Sequence, residues 1–283
     1  MNILVRFLLA SILVFSNLAG AEDFPTLWQS RDAQLQAGLE SLVERQGLSK
    51  QVKQGKLALA LVDISDHYRP RVAALNGNKM LYAASLPKIA ILLGAFVQIE
   101  QGVLQLDEQL WSDMQQMIRH SGNAAATRVL ERVGREELLE ILQSPRYRLY
   151  DQKRNGGLWV GKAYARAGAY QRDPLYNLSH GASVLQAARF YYLLDTNQLV
   201  NEELTRKMKD ILAEPAIYHK FVKGLEDLPD VVMYRKSGTW KDHHADSALV
   251  EFGENRYIIV GLAKSRRGGN WLADLARPLH DLV

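Results

Sequence analysis

The sequence predicts an α+β fold, with one sheet and an inserted helical lobe. Two observations carry this prediction. Strand-like runs occur near the start of the chain, at 56–63 and 71–75, and again near its end, between 231 and 263. Between them, apolar residues recur at helical spacing. Strands at both ends with helices between imply one sheet assembled from the two ends and flanked by helices.

Each element follows in order. Residues 1–21 hold a single charge, Arg6, then an uncharged run from Phe7 to Gly20, and end in Ala19-Gly20-Ala21. This reads as a secretory signal cleaved after Ala21, because the strongly apolar part, Ile3 to Phe15, is short for a membrane span of about 20 residues. The chain after that point has no cysteine to carry a lipid. Residues 26–48 place Leu27, Leu35, Leu39 and Leu42 on a helix. Lys56–Asp63 and Arg71–Leu75 form a hairpin around Asp66, His67 and Pro70. From Ser85 the pattern is helical through Ile89, Leu92, Leu93, Phe96 and Ile99, and further helices cover 107–119, 122–133 and 135–143. The Gly-, Arg- and Tyr-rich segment 144–180 is irregular, and helices return at 181–195 and 201–213. Val231–Trp240, Ser247–Phe252 and Tyr257–Ala263 are strands, and a helix from Trp271 to Leu282 closes the chain. No repeat or linker divides residues 22–283. They form one domain, with an α/β lobe at 22–83 and 214–283 and a helical lobe at 84–213.

Composition excludes several function classes. With 47% hydrophobic residues and a formal charge of +4 over 283 residues, wholesale disorder is excluded. The absence of cysteine excludes disulfides, a thiolate nucleophile and Cys-ligated metal sites. The weak positive charge and the lack of a spaced aromatic ladder argue against nucleic acid. An exported chain without cysteine fits the bacterial periplasm, or secretion beyond it.

Three short motifs carry chemistry. Ser85-Leu86-Pro87-Lys88 sets a hydroxyl and an amine one helical turn apart. A serine needs a neighbouring base to become a nucleophile, and a lysine serves once burial removes its proton. Alone, Ser85 reads better as a helix N-cap. Ser121-Gly122-Asn123 offers a hydroxyl and an amide, or simply a cap for the following helix. Lys236-Ser237-Gly238-Thr239 lies on a strand, where a glycine marks close approach of another backbone or a ligand. The plain alternative is a solvated edge.

In this order the three motifs resemble those of the serine β-lactamase and penicillin-binding DD-peptidase superfamily, in its class A β-lactamase-like branch of secreted serine hydrolases. The resemblance runs over about 26–283, and the segment YAASLPKIAILLGAF at 82–96 is similar to the nucleophile helix of that family. It implies a three-layer α/β/α fold with an antiparallel sheet plus a helical lobe, and that Ser85 is acylated with Lys88 as its base. Ser121 would pass a proton to the leaving nitrogen, and Asn123 would contact the substrate amide and Lys88. Lys236 would set the field around the serines. Ser237 and Thr239 would hold a substrate carboxylate. The backbone N–H groups of Ser85 and Thr239 would form the oxyanion hole. No cofactor or metal is called for.

The chain also departs from that family. Class A enzymes use a loop glutamate to activate the deacylating water, and no Glu occurs from 141 to 201. The Ser85–Ser121 interval is short, and Gly122 stands where Asp is usual. Asp173 and His180 lie in the corresponding region as candidates to replace that glutamate, but they read better as a loop-stabilising partner of Arg172 and a cap or packing residue. Trp159 and Lys162 are candidate cleft residues by position alone. His243-His244-x-Asp246 looks metal-like, yet adjacent histidines on a strand point to opposite faces, so a turn beside the cleft is the better reading. Arg266-Arg267 reads as a solvated turn. The expected function is therefore hydrolysis of an amide, ester or β-lactam through an acyl-Ser85 intermediate, with deacylation in doubt. The alternatives are a DD-peptidase-like peptidoglycan hydrolase and a penicillin-recognising binding or sensor protein with little turnover. The expected partner is a small or peptide-like substrate, met by a monomer without a stable membrane anchor after cleavage.

Overall fold

The structure, a computed structural model, describes residues 24–166 and 168–283. The signal segment expected at 1–21 lies outside the described residues. In chain order the helices are α1 (Ala33–Arg45), α2 (Ser49–Lys53), α3 (Lys88–Glu100), α4 (Glu108–Ile118), α5 (Asn123–Val133), α6 (Arg135–Gln143), α7 (Val184–Asp195), α8 (Glu202–Leu212), α9 (Phe221–Gly224) and α10 (Gly268–His280). The strands are β1 (Leu57–Asp63), β2 (Arg71–Leu75), β3 (Leu81–Tyr82), β4 (Tyr150–Asp151), β5 (Gly156–Gly157), β6 (Trp159–Val160), β7 (His180–Ala182), β8 (Val231–Trp240), β9 (His243–Phe252) and β10 (Asn255–Lys264).

The main sheet runs β2-β1-β10-β9-β8, and its pairings are antiparallel. Strands from the two ends of the chain meet where β1 pairs with β10, Leu57 opposite Ala263. The run LALALVD explains why β1 sits inside the sheet, between β2 and β10, since every residue of it is buried. Alternation sends Leu57, Leu59 and Leu61 into one core with α1 and α10. It sends Ala58, Ala60 and Val62 into the other core, which α3 and α7 also fill. Helices therefore cover both faces, giving three layers. In the helical part α3 is buried from Lys88 to Gln98. Its apolar residues extend all round the helix, as befits one surrounded by others.

Several boundaries differ from the sequence reading. The first helix starts at Ala33, not 26, because Asp32 is extended and its carboxylate accepts from Leu35 N at 2.7 Å, which caps the helix there. α3 starts at Lys88, and Ser85 lies in the tight turn that leads into it. β9 begins at His243, because the β8–β9 ladder continues to Trp240 opposite His243 around the turn Lys241-Asp242. The two histidines are therefore strand residues and not a turn.

The irregular segment 144–180 is organised by one carboxylate. Asp173, 2% exposed, accepts hydrogen bonds from Tyr150 Oη and from the N–H groups of Leu175, Tyr176 and Leu178. Arg172 instead donates to Asn177 O, so the loop is held by backbone-to-carboxylate bonds and not by an Arg172–Asp173 ion pair. The segment ends in β7, which pairs with β3 and β6. The bond from Ala83 N to His180 O at 3.0 Å then carries that small sheet up to the turn bearing Ser85.

Candidate active site

Ser85 stands between the two halves of the fold. Ala84 before it is in the left-handed region at φ 50°, which turns the chain sharply from β3 into α3. Gly238 on β8 packs directly beneath this turn. A Cβ there would lie 2.2 Å from Ala83 O and 2.7 Å from Ser85 N, so only glycine allows the approach. β8 is an edge strand. Its ladder closes at Trp240 opposite His243, so Thr239 falls in a non-hydrogen-bonded pair and its N–H faces out of the sheet edge. Among the described residues no hydrogen bond engages the N–H of Ser85 or its Oγ. Two outward N–H groups beside a half-buried hydroxyl are the elements of an oxyanion site.

Lys88 is fully buried one turn further on. Its Nζ donates to Ser121 O at 2.6 Å and to Asn123 Oδ1 at 2.8 Å, with longer bonds to Gly122 O and Ser121 Oγ. These contacts hold Ser121 in the left-handed region, φ 56°. Ser121 Oγ also accepts from Lys236 Nζ at 3.0 Å, so one hydroxyl bridges two buried lysines. Neither lysine has a carboxylate partner among its bonds. Burial lowers the Lys88 amine to about 7. Lys236 is held well below the usual lysine range by burial, and then by the charges of Lys88 and Arg235.

Ser237 and Thr239 are each engaged by residues that sequence reasoning missed. Ser237 Oγ lies 3.1 Å from His219 Nε2. Lys220, 3% exposed, donates to Gly238 O, Thr239 Oγ1 and Ala245 O at 2.7, 2.9 and 3.0 Å. Burial brings the Lys220 amine down to about 8, and burial with the Lys220 charge takes His219 to about 4. Beneath them Arg235 and Asp246 form a buried ion pair across β8 and β9, Nε to Oδ1 2.7 Å and Nη2 to Oδ2 2.8 Å. Asp246 also accepts from Phe221 N at 3.1 Å, which ties α9 to the sheet. The carboxylate of the metal-like HHxD pattern is thus committed to Arg235. His243 meets Tyr82 edge-on while His244 lies against Gly268 and Gly269 of α10, so the two rings diverge.

Tyr164 is the other residue that the sequence did not single out. Its ring lies 4.5 Å from Lys88 Nζ, its hydroxyl donates to Ala84 O at 3.2 Å, and it stacks on His180 at 4.3 Å. His180 Nε2 meets Lys162 O at 2.9 Å, and burial lowers the imidazole to about 4, so it is neutral at pH 7. Trp159 lies in the core, its Nε1 donating to Gln171 O at 3.0 Å. A cleft of about 1080 Å³ opens over Ser85, lined by Asn123, Lys162, Tyr164, His180, Thr239 and Trp240 among others. No pattern in the sequence pairs Tyr164 with Lys88, because a loop and not a helix carries it there.

The model of the Beta-lactamase enzyme family matches residues 41–115 and 109–283. No curated protein sequence matches the chain. Among solved structures, PBP-A superposes with a TM-score of 0.69 at 16% identity, covering 92% of this chain and 98% of that one. The class A β-lactamase of the last common ancestor of Gram-negative bacteria gives 0.68 at 17%, over 85% and 98%. A β-lactamase from Sphaerobacter thermophilus DSM 20745 gives 0.66 at 13%, over 86% and 95%. At these identities the superpositions show the fold, and the family match extends over most of the sequence. The chain belongs to the Beta-lactamase enzyme family.

Proposed function

We propose that this protein is an exported serine hydrolase, acting in the periplasm after removal of residues 1–21, that takes the acyl group of an amide, ester or β-lactam onto Ser85. The observation that carries the reading is the junction at Gly238. It brings the free N–H of Ser85 beside the outward N–H of Thr239, with two buried lysines behind whose bonds include no carboxylate. Ser85 Oγ attacks the carbonyl carbon and its proton passes to neutral Lys88. Near pH 7 an amine with that affinity is about half neutral. Lys88 must turn from its present acceptors to reach Ser85 Oγ. The developing oxyanion rests on the N–H groups of Ser85 and Thr239, single donors of this kind being worth roughly 3–4 kcal/mol. The proton then reaches the leaving nitrogen through Ser121, which both lysines contact. Ser237 and Thr239, backed by His219 and Lys220, offer hydroxyls to a substrate carboxylate.

Release of the acyl group is the slow step in this reading. No Glu lies from 141 to 201 to activate water, and the Tyr164 hydroxyl is committed to Ala84 O. These two facts favour a peptidase-like or penicillin-recognising protein with little β-lactam turnover over an efficient β-lactamase. A PBP-A mutant is known as an acyl-enzyme complex with penicillin G. Intact-protein mass spectrometry after mixing with penicillin G tests the reading: a long-lived adduct on Ser85 supports it, and rapid multiple turnover contradicts the slow release.

A further inference from the structure

Lys220 is a buried cation that stands apart from the proton path of Ser85, Lys88 and Ser121. It does not line the cleft over Ser85, whereas Thr239 does. Its amine meets three acceptors, Gly238 O at 2.7 Å, Thr239 Oγ1 at 2.9 Å and Ala245 O at 3.0 Å. An ammonium has three donors, so none is left over for a substrate.

The backbone of Lys220 is held at φ 53° and ψ −121°, a conformation that residues with a side chain rarely adopt. The buried Arg235–Asp246 pair pins it on both sides. Arg235 Nη2 donates to His219 O at 3.3 Å, and Asp246 Oδ2 accepts from Phe221 N at 3.1 Å. None of the bonds of the Lys220 amine goes to a carboxylate. A side chain that only tied this loop to the sheet would gain nothing from its charge, because burying a cation without a carboxylate is costly and a neutral amide can bond the same carbonyls. The charge is directed at one peptide. Gly238 O belongs to the peptide whose N–H is that of Thr239, the outward donor beside Ser85. A cation bonded to a peptide carbonyl draws electron density from its nitrogen and makes the N–H a stronger donor.

We propose that Lys220 is a positioning residue for acylation, holding its charge against Gly238 O so that the Thr239 N–H is a stronger and better-aimed oxyanion donor. The inference rests on Ser85 being acylated with that N–H beside it. Burial sets the Lys220 amine at about 8, so it is charged at pH 7 and loses its charge above 8. The groups that face it are Asp246 and Arg235, which pair with each other, Lys236, and the histidines His219 and His244, both neutral above pH 7.

The test compares Ac-Ala thioesters of mercaptoacetate and mercaptoacetamide, which share the acyl group and differ in a leaving-group carboxylate. With each, the bond from Ser85 Oγ to the acyl carbon forms, the C–S bond breaks and the thiol leaves with the serine proton. Lys220→Met should slow acylation by both about tenfold, part of what a whole oxyanion donor supplies, and Lys220→Arg should recover much of it. Two further readouts need no variant. Acylation of the parent by the mercaptoacetamide thioester should fall again above pH 8, and the Thr239 amide signal in NMR should move with the same midpoint. Both responses should vanish in Lys220→Met. Slowing confined to the mercaptoacetate thioester would assign Lys220 to the substrate carboxylate and overturn the inference, as would a Thr239 signal indifferent to this titration. If a fluorophosphonate and both thioesters modify Ser85 while Lys220→Met reacts at the parental rate, this inference alone fails. If none of these reagents modifies Ser85, the acyl-serine reading fails with it.

Discussion

The amine of Lys88 lies 4.5 Å from the centre of the Tyr164 ring, and the hydroxyl of that ring donates to Ala84 O beside the candidate nucleophile. One aromatic side chain thus touches both the base and the backbone that aims Ser85. Its ring face favours a charged amine by about 0.5–2 kcal/mol. Its bulk also keeps water away, and burial is what lowers Lys88 to about 7 from 10.5. A shift of that size is worth several kcal/mol, so desolvation outweighs the ring's attraction.

Tyr164→Ala should therefore let the Lys88 amine rise. The pH midpoint of acylation should move up by more than one unit, and the rate at pH 7 should fall about tenfold. Tyr164→Phe keeps the ring and should keep the midpoint. Stopped-flow acylation across pH reads both variants, and an unmoved midpoint in Tyr164→Ala would remove the tyrosine from this role.

In the parent protein, acylation should climb as pH rises from 5 to 8, with its midpoint near 7, because Lys88 must be neutral to take the serine proton. His180 and His219, both near 4, are already neutral over that range and should not add a second limb. A rate that is flat from pH 5 to 8 would exclude Lys88 as the base.

Gly238→Ala would force a methyl against Ala83 O and Ser85 N, which are backbone atoms and cannot swing aside. Acylation should fall at least 100-fold, the scale of a lost oxyanion donor, and overpacking should cost about 1–3 kcal/mol of stability. Acylation kinetics and thermal unfolding measure the two effects separately.

Asp246→Ala leaves Arg235 buried and unpaired. The expected loss is about 3–5 kcal/mol, lowering Tm by roughly 6–20 °C for a chain of this size. Replacing the pair together, Arg235→Met with Asp246→Leu, should recover much of it. Calorimetry of the three proteins decides whether the pair or the space it fills matters.

What the sequence made legible was local. The LALALVD run announced a strand, though not its burial on both faces, and Ser85 and Lys88 are one turn apart as their spacing requires. The helix start was placed three residues early because a serine before an apolar helix reads as its cap, whereas Ser85 sits in the preceding turn. Tyr164, His219 and Lys220 stayed hidden because each reaches the site from an irregular segment whose path depends on distant partners. Asp173 sets one such path and Asp246 the other. Arg235 and Asp246 meet only through the β8–β9 register, which nothing within either strand reveals.

The central claim is that Ser85 is acylated and deacylates slowly. The most direct test is peptide-resolved mass spectrometry of the protein after incubation with penicillin G, alongside Ser85→Ala. A penicilloyl adduct confined to the peptide containing Ser85, persisting over many minutes and absent from Ser85→Ala, is the predicted result. An adduct on another residue, or equal penicillin consumption by Ser85→Ala, would contradict the account.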